Sequence, residues 1–408
     1  MGCPTYRSHQ LFNRSVLTTS EPANIQTVLA TKFADFEMAT FRRANFGEML
    51  GNGIFTTDGQ PWSHYRAQLK PQFTRDQVSD LNAAEHHLGI LYSALPAADD
   101  DGWTEADLLP LLYRFTMDVS TEFLFGESVN SQATALAAEE KEKAAEDDSF
   151  ADAMNYAQEF IALRVRFGVL RYLFSTKRFK RACTTVQTFA DRFVKIALER
   201  DQEKKREDGK YVLLDALVAE TRNPVELRDQ VLQTLLAGRD TTSAALSWAL
   251  LLLSRDKGEY AALRGKVLAH FGTAAHPKQD LTFATLKSCK RLAYVLLETL
   301  RLYPLIPING RGAVRDTILP TGGGPHRDQP IAVMKGEQVG YSAYVMHRRR
   351  DIWGDDAAAW RPGRWEGRKL GWEFIAFSGG PRVCLGRESS SSCMLVSEAR
   401  LRVCGCAN

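Results

Sequence analysis

From Asn223 to about Ser254, apolar residues recur at helical spacing through Leu227, Val231, Leu235, Ala245, Leu246 and Ala249. Asn223-Pro224-Val225-Glu226 opens this run with a capping residue, a proline suited to a first turn and a glutamate placed to reach back to the cap. Some 30 residues rising 1.5 Å each make a helix about 45 Å long, enough to cross a whole domain. A helix of that length runs through a core. The 408 residues, 44% of them hydrophobic, are enough to build a large one around it, although length alone would also allow two or three domains.

Helical periodicity continues elsewhere. Glu21–Ala30 puts Ile25, Val28 and Leu29 on one face, with Pro22 in the first turn, and Arg291–Tyr303 reads as a further helix. Between Phe46 and Asp58 the glycines 47, 51 and 53 predict a loop that ends near Trp62. Glu139–Asp148 and Glu199–Lys210 are charge runs, read as solvated helix ends or linkers. Gln329–Val333 and Gln338–Tyr344 read as short strands. Gly322-Gly323-Gly324 reads as a hairpin turn, because no strand and glycine pattern of a phosphate cradle surrounds it. The expected class is mainly α, with a smaller β portion late in the chain.

Charge and cysteine content remove several functions. Fifty-two basic against 49 acidic residues leave a net +3, too little for a nucleic-acid footprint. Seven cysteines without paired spacing indicate a reducing compartment, with no disulfide framework. No stretch of about 18 apolar residues is present to span a bilayer. Tyr6 stands where a myristoylation signal needs Ser or Thr.

The segment most specific for chemistry is Phe377-Ser-Gly-Gly-Pro-Arg-Val-Cys-Leu-Gly386. Gly379, Gly380 and Pro381 make a tight turn, Gly386 permits close backbone approach behind Cys384, and Arg382 adds a fixed cation. Such surroundings favour a thiolate. A lone cysteine in a glycine-rich loop would otherwise read as buried and structural. The joint spacing F-x-x-G-x-R-x-C-x-G, however, resembles the haem-ligating loop of the cytochromes P-450, where the cysteine thiolate is the proximal iron ligand.

That resemblance implies the other site residues. Glu298 and Arg301, three apart on a helix, together with Arg364 from Arg361-Pro-Gly-Arg-Trp365, resemble the family's structural triad, in which losing one member leaves a buried charge unpaired. Ala237-Gly238-Arg239-Asp240-Thr241-Thr242 resembles its distal-helix motif. Gly238 would leave room for oxygen, and Asp240 with Thr241 would carry protons to bound dioxygen. A mid-helix threonine also commonly bonds the carbonyl four residues back. Trp62-Ser-His-Tyr-Arg66 resembles the family's W-x-x-x-R helix. Trp62, Arg66, Arg311 and Arg382 are therefore the candidates for binding the propionates of haem b. His64, between the first two, reads as an ordinary satisfied histidine.

The resemblance runs from about Glu21 to Gly386. Glu298–Asp316, Leu319–Gly336 and Tyr344–Trp353 look most like fungal enzymes that hydroxylate n-alkanes and fatty acids. Leu236, Ala237, Leu305, Ile306, Pro307 and Ile308 would then line an apolar channel, or equally belong to the core. The implied partners are an NADPH-dependent P450 reductase and a long-chain apolar substrate. The implied location is the cytosolic face of the endoplasmic reticulum membrane, through an anchor that family members carry before the point matching Leu11 and that is expected to be missing, with the first segment, from this chain.

Two stretches depart from the pattern. Gly363 stands where the family usually has Glu. After Gly386 a serine run replaces the expected apolar helix, so residues 1–386 are expected to form one family domain and 387–408 an aberrant tail. In that tail Cys393, Cys404 and Cys406 match no common zinc spacing. A haem-thiolate monooxygenase is the leading reading. A peroxide-using or isomerising haem-thiolate enzyme and a haem-free, non-catalytic remnant are the alternatives.

Overall fold

The long helix forms as the capping pattern requires. Pro224–Arg255 spans 32 residues, and Asn223 Oδ1 accepts from the N–H groups of Val225 (3.1 Å) and Glu226 (3.3 Å). Glu226 does not reach back to the cap. Its carboxylate instead meets His64 Nε2 at 2.9 Å and accepts from Thr221 Oγ at 3.3 Å, which accounts for His64 as a satisfied side chain. The computed structural model describes residues 4–10, 14–74, 81–96, 105–139, 150–168, 170, 175–203, 211–273 and 276–387. The tail from Glu388, most of the first charge run and the end of the second lie outside them.

The chain divides into two compact units. Ala39–Ser243 forms a helical unit; the residues up to Met38 and from Ala244 onward form a unit that holds both sheets. In the helical unit, Ala39–Leu50 is a helix, so the expected loop over Phe46–Asp58 begins only at Gly51. Met49 and Leu50 are fully buried, and a Cβ at Gly47 would meet only Arg43 Cγ at 3.5 Å, so burial outweighs that glycine's weak helix preference. Lys177–Glu203 is a helix that takes in the start of the second charge run.

The β portion is not confined to the late chain. In the larger sheet, β1 (Thr5–Gln10), β2 (Arg14–Thr19), β3 (Phe36–Glu37), β4 (Ile308–Ala313) and β7 (Gln338–Ser342) lie in the order β1-β2-β7-β4-β3. Strands β5 (Thr317–Gly323) and β6 (Gln329–Val333) form a separate hairpin. Thr5–Gln10 reads TYRSHQ and has no apolar alternation, so its strand state comes from pairing rather than pattern: β1 is antiparallel to β2, which runs parallel to β7. Buried Asn24 ties these pieces together. Its amide donates to Thr5 Oγ (3.1 Å), Thr19 Oγ (3.2 Å) and the Thr321 carbonyl (3.0 Å).

The expected strand over Gln338–Tyr344 stops at Ser342, whose hydroxyl accepts from Val345 N at 3.2 Å and caps a helical turn over Ala343–Met346. The triple glycine does close the β5–β6 hairpin, with Gly322 N donating to Arg327 O at 3.0 Å. Leu17, Ile25, Val28, Leu29, Val339 and Met346 form the core beneath the larger sheet. No described helix is long and apolar enough to cross a membrane.

Candidate functional site

The cysteine loop lies in the sheet-containing unit and is built from backbone constraints. Ile375 O accepts from Ser378 N at 2.9 Å, and Ser378 itself takes φ 63°. A short 3-10 turn over Gly380–Arg382 follows, closed by Val383 N donating to Gly380 O at 3.1 Å. The loop ends with Cys384 N donating to Phe377 O at 3.0 Å. Gly380 has φ 64°, and a Cβ there would lie 2.0 Å from Leu29 O, so no other residue fits without moving the chain. A close approach also calls for glycine at Gly379, where a Cβ would lie 2.5 Å from the Trp372 ring. Cys384 is exposed, and Arg382 lies with Cζ 5.9 Å from the Phe33 ring centroid.

The same unit holds Glu298, Arg301 and Arg364 together. The helix Lys290–Leu302 buries Glu298 and Arg301 completely. Glu298 Oε1 accepts from Arg301 Nη2 (2.8 Å), Arg361 N (2.9 Å) and Arg364 Nε (3.2 Å). Its Oε2 accepts from Arg301 Nε (2.8 Å) and Trp365 Nε1 (3.1 Å). A fourth charge escaped the sequence reading. Asp356 Oδ1 accepts from Arg364 Nη1 at 2.8 Å and its Oδ2 accepts from the exposed Arg361 guanidinium, so a second carboxylate joins the cluster. Gly354-Asp355-Asp356 gives no sign in sequence of which acid turns inward.

Arg301 also donates to the carbonyls of His347 (2.6 Å), Ala357 (2.7 Å) and Ala359 (3.1 Å), tying the helix to the chain that precedes the cysteine loop. Gly363 sits beside this cluster in the 3-10 turn Pro362–Trp365, and a Cβ there meets only Arg291 Nη1, at 4.0 Å. Arg291 donates from Nη2 to Glu259, while its Nε is buried without a hydrogen-bond partner. Gly363→Glu is therefore expected to stabilise the chain by about 1 kcal/mol, from reduced unfolded-state entropy plus a partly buried ion pair. Urea unfolding checks this against Gly363→Ala, which supplies the entropy part alone; equal midpoints for the two variants would exclude the ion pair.

In the helical unit, Thr241 Oγ donates to Ala237 O at 2.7 Å, the back-bond common for a mid-helix threonine. Asp240 faces Arg239, Oδ1 to Nη1 3.6 Å, so the two side chains are neighbours along the helix and do not hydrogen-bond each other. Burial raises the Asp240 pKa, and the Arg239 charge offsets part of that rise. Gly238 does not simply leave open space: a Cβ there would lie 3.2 Å from Ser120 Oγ, so the glycine serves close helix packing against Leu108–Phe125. Arg239 was not singled out by its motif. It is 3% exposed, its Cζ lies 5.2 Å from the Tyr113 ring, and Nη2 donates to Asn155 Oδ1.

Trp62 and Arg66 share the helix Gly59–Leu69, with the guanidinium carbon 5.8 Å from the Trp62 ring. Polar residues on one face of the long helix hold this helix and the loop before it. Asp229 Oδ2 accepts from Asn52 N (2.8 Å), Gln233 Oε1 accepts from Phe55 N (2.7 Å), and Gln230 Nε2 donates to Gln68 Oε1 (2.8 Å). Gly51, φ 59°, lets the loop pass so close that a Cβ would lie 2.0 Å from Asp229 Oδ2. The recurrence of polar residues at helical spacing was the available signal in sequence, and it runs opposite to the apolar stripe.

A family model described as cytochrome P450 matches residues 4–396. The chain belongs to the cytochrome P450 family. It is 48% identical over 397 residues to cytochrome P450 monooxygenase g430 of a Fusarium species, covering 95% of this chain and 69% of that protein. To cytochrome P450 52A12 of Debaryomyces hansenii it is 42% identical, covering 93% and 74%; to cytochrome P450 52A5 of Candida maltosa 41%, covering 94% and 73%. A solved cytochrome P450, CYP102L1, shares the fold with TM-score 0.78 at 20% identity, over 98% of this chain and 88% of that one.

The chain is thus a cytochrome P450 monooxygenase, and the prosthetic group of its family is a haem with thiolate-ligated iron. The donor set fits such a group. Among the described cysteines Cys384 is exposed while Cys183 and Cys289 are buried. Arg311, in β4, is 4% exposed and donates only to Gly310 O (2.8 Å) and Asn309 Oδ1 (3.4 Å); among the described residues no carboxylate pairs with it. A buried guanidinium of that kind is suited to a carboxylate that no described residue supplies. Of the channel candidates, Leu236 and Ala237 are half-buried in the helical unit. In the sheet-containing unit Leu305 is half-buried, while Ile306 and Ile308 are 51% and 68% exposed, which takes both out of the core of that unit.

Proposed function

We propose that this P450 inserts one oxygen atom of O2 into a C–H bond of a long-chain alkane or fatty acid, with two electrons from an NADPH-dependent flavoprotein reductase. The observation that carries this reading is the exposed Cys384 thiol, presented by a loop whose every turn is fixed by backbone bonds. Cys384 Sγ is the iron ligand, and the bound haem supplies dioxygen activation assisted by that thiolate. Arg311 and Arg382, together with Trp62 and Arg66, bind the propionates. Phe377 and Gly386 shape the ends of the thiolate loop.

Asp240 and Thr241 manage protons. The raised pKa of Asp240 makes its carboxyl easier to protonate than an ordinary aspartate. Thr241 Oγ spends its own proton on Ala237 O, so its free lone pairs face the task as acceptors, and the residue donates only after that back-bond opens. Leu236, Ala237, Leu305, Ile306 and Ile308 contact the apolar substrate, a role that rests on the family resemblance; the exposure of Ile306 and Ile308 leaves both side chains accessible to it. The substrate class rests on likeness to the fungal hydroxylases, as does attachment at the endoplasmic reticulum. Glu298, Arg301 and Arg364 keep the loop's support rigid.

The test is the purified, haem-loaded chain with a P450 reductase, NADPH and a panel of n-alkanes and fatty acids. The expected results are a reduced, carbon-monoxide-bound Soret band at the long wavelength of thiolate ligation and NADPH-dependent hydroxylated product. Product formed only with peroxide would exclude the reductase-driven reading, and absence of any haem absorbance would reject an active enzyme.

A further inference from the structure

His347 lies in the Tyr344–Trp353 segment, but no motif gives it a role, and in the structure it is held at both ring nitrogens. It is fully buried, and both ring nitrogens are committed to main chain: Nδ1 lies 3.1 Å from Arg301 O, and Ile375 N donates to Nε2 at 3.0 Å. The second bond requires a bare lone pair on Nε2, so the proton sits on Nδ1 and one neutral tautomer is set. Phe374 stacks on the ring, centroids 5.1 Å apart at 19°. The Arg301 guanidinium in turn donates to the His347 main-chain carbonyl at 2.6 Å, so the helix holds His347 at both its ring and its backbone.

Beyond the imidazole the bonds lead to the cysteine. Ile375 is held at its N–H by His347 and at its carbonyl by Ser378 N, where the chain turns back through the positive φ of Ser378; Phe377 O then receives Cys384 N. We propose that His347 is a positioning residue for the thiolate: its Nε2 fixes the start of the cysteine loop to the buried Glu298–Arg301 helix, and thereby fixes where Cys384 Sγ is presented. The proposal rests on Cys384 being the iron ligand. Burial, with the Arg301 and Arg348 cations nearby, holds the His347 pKa down to about 3, which keeps Nε2 an acceptor throughout the range in which an enzyme works.

The test uses three variants of the haem-loaded full chain. A glutamine side chain can bring its carbonyl to where Nε2 stands, whereas asparagine can replace only the Nδ1 donor and leucine neither. His347→Gln is expected to keep the thiolate-type carbon-monoxide band. His347→Asn and His347→Leu are expected to lose it about tenfold faster, the size of one buried hydrogen bond left unmade, with far-ultraviolet circular dichroism like the parent's. Hydrogen exchange of the peptide covering residues 372–386 gives a second reading independent of iron: protected with glutamine, about tenfold less protected with asparagine. Equal behaviour of the glutamine and asparagine variants in both measurements overturns the proposal, as does a folded leucine variant that matches the parent. A parent chain without the thiolate band would overturn the ligand reading instead, and the exchange comparison would still decide whether His347 holds the loop.

Discussion

Replacing Cys384 with alanine is expected to abolish the thiolate-type carbon-monoxide band completely while changing the stability of the haem-free chain by less than about 0.5 kcal/mol. The two effects separate because the loop's shape does not depend on the sulfur. The bond from Cys384 N to Phe377 O is made by backbone that alanine retains, and the side chain is exposed, so its loss leaves no cavity. No other described cysteine can take over. Burial pushes the Cys183 thiol up to about 12 and raises that of Cys289, so neither is a thiolate near neutral pH. Cys183→Ala and Cys289→Ala should therefore leave the band in place. Persistence of the band in Cys384→Ala would refute the ligand assignment.

Glu298→Gln is the substitution expected to cost most in stability, about 3–5 kcal/mol. The change is nearly isosteric, so the loss comes from charge and hydrogen-bond polarity. Oε1 accepts from Arg301 Nη2, Arg361 N and Arg364 Nε, and Oε2 from Arg301 Nε and Trp365 Nε1. Whichever oxygen becomes an amide nitrogen, at least two donors then face another donor. Arg301, fully buried, also loses its counter-charge. Urea unfolding of the full chain measures the effect; a shift under about 1 kcal/mol would mean that the cluster is hydrated rather than sealed.

The motif residues were legible because each rests on a covalent or local rule. A thiolate can come only from cysteine, a backbone at φ 64° favours glycine at position 380, and Glu298 and Arg301 meet because they are three apart on one helix. The long helix was equally legible, since its apolar positions Leu227, Val231, Leu235, Ala245, Leu246 and Ala249 are all buried. Partners supplied by distant chain were not legible. Nothing near Asp356 distinguishes it from Asp355, and His347 gains its meaning only where Arg301 O and Ile375 N converge on its ring.

The front strands show the same division. Thr5–Gln10 has no pattern of its own and becomes a strand because β2 pairs on one side with it and on the other with β7, more than 300 residues later in the chain. Local periodicity and capping thus determined the helical class, while the spacing of the cysteine segment and its family resemblance pointed to Cys384 and to Glu298, Arg301 and Arg364. Only the tertiary structure decided which carbonyl each donor reaches, that Gly238 packs against Ser120, and that a neutral histidine ties the buried helix to the cysteine loop. The reason is that hydrogen bonding at these places depends on distances of a few tenths of an ångström between segments far apart in sequence, and no spacing along the chain encodes them.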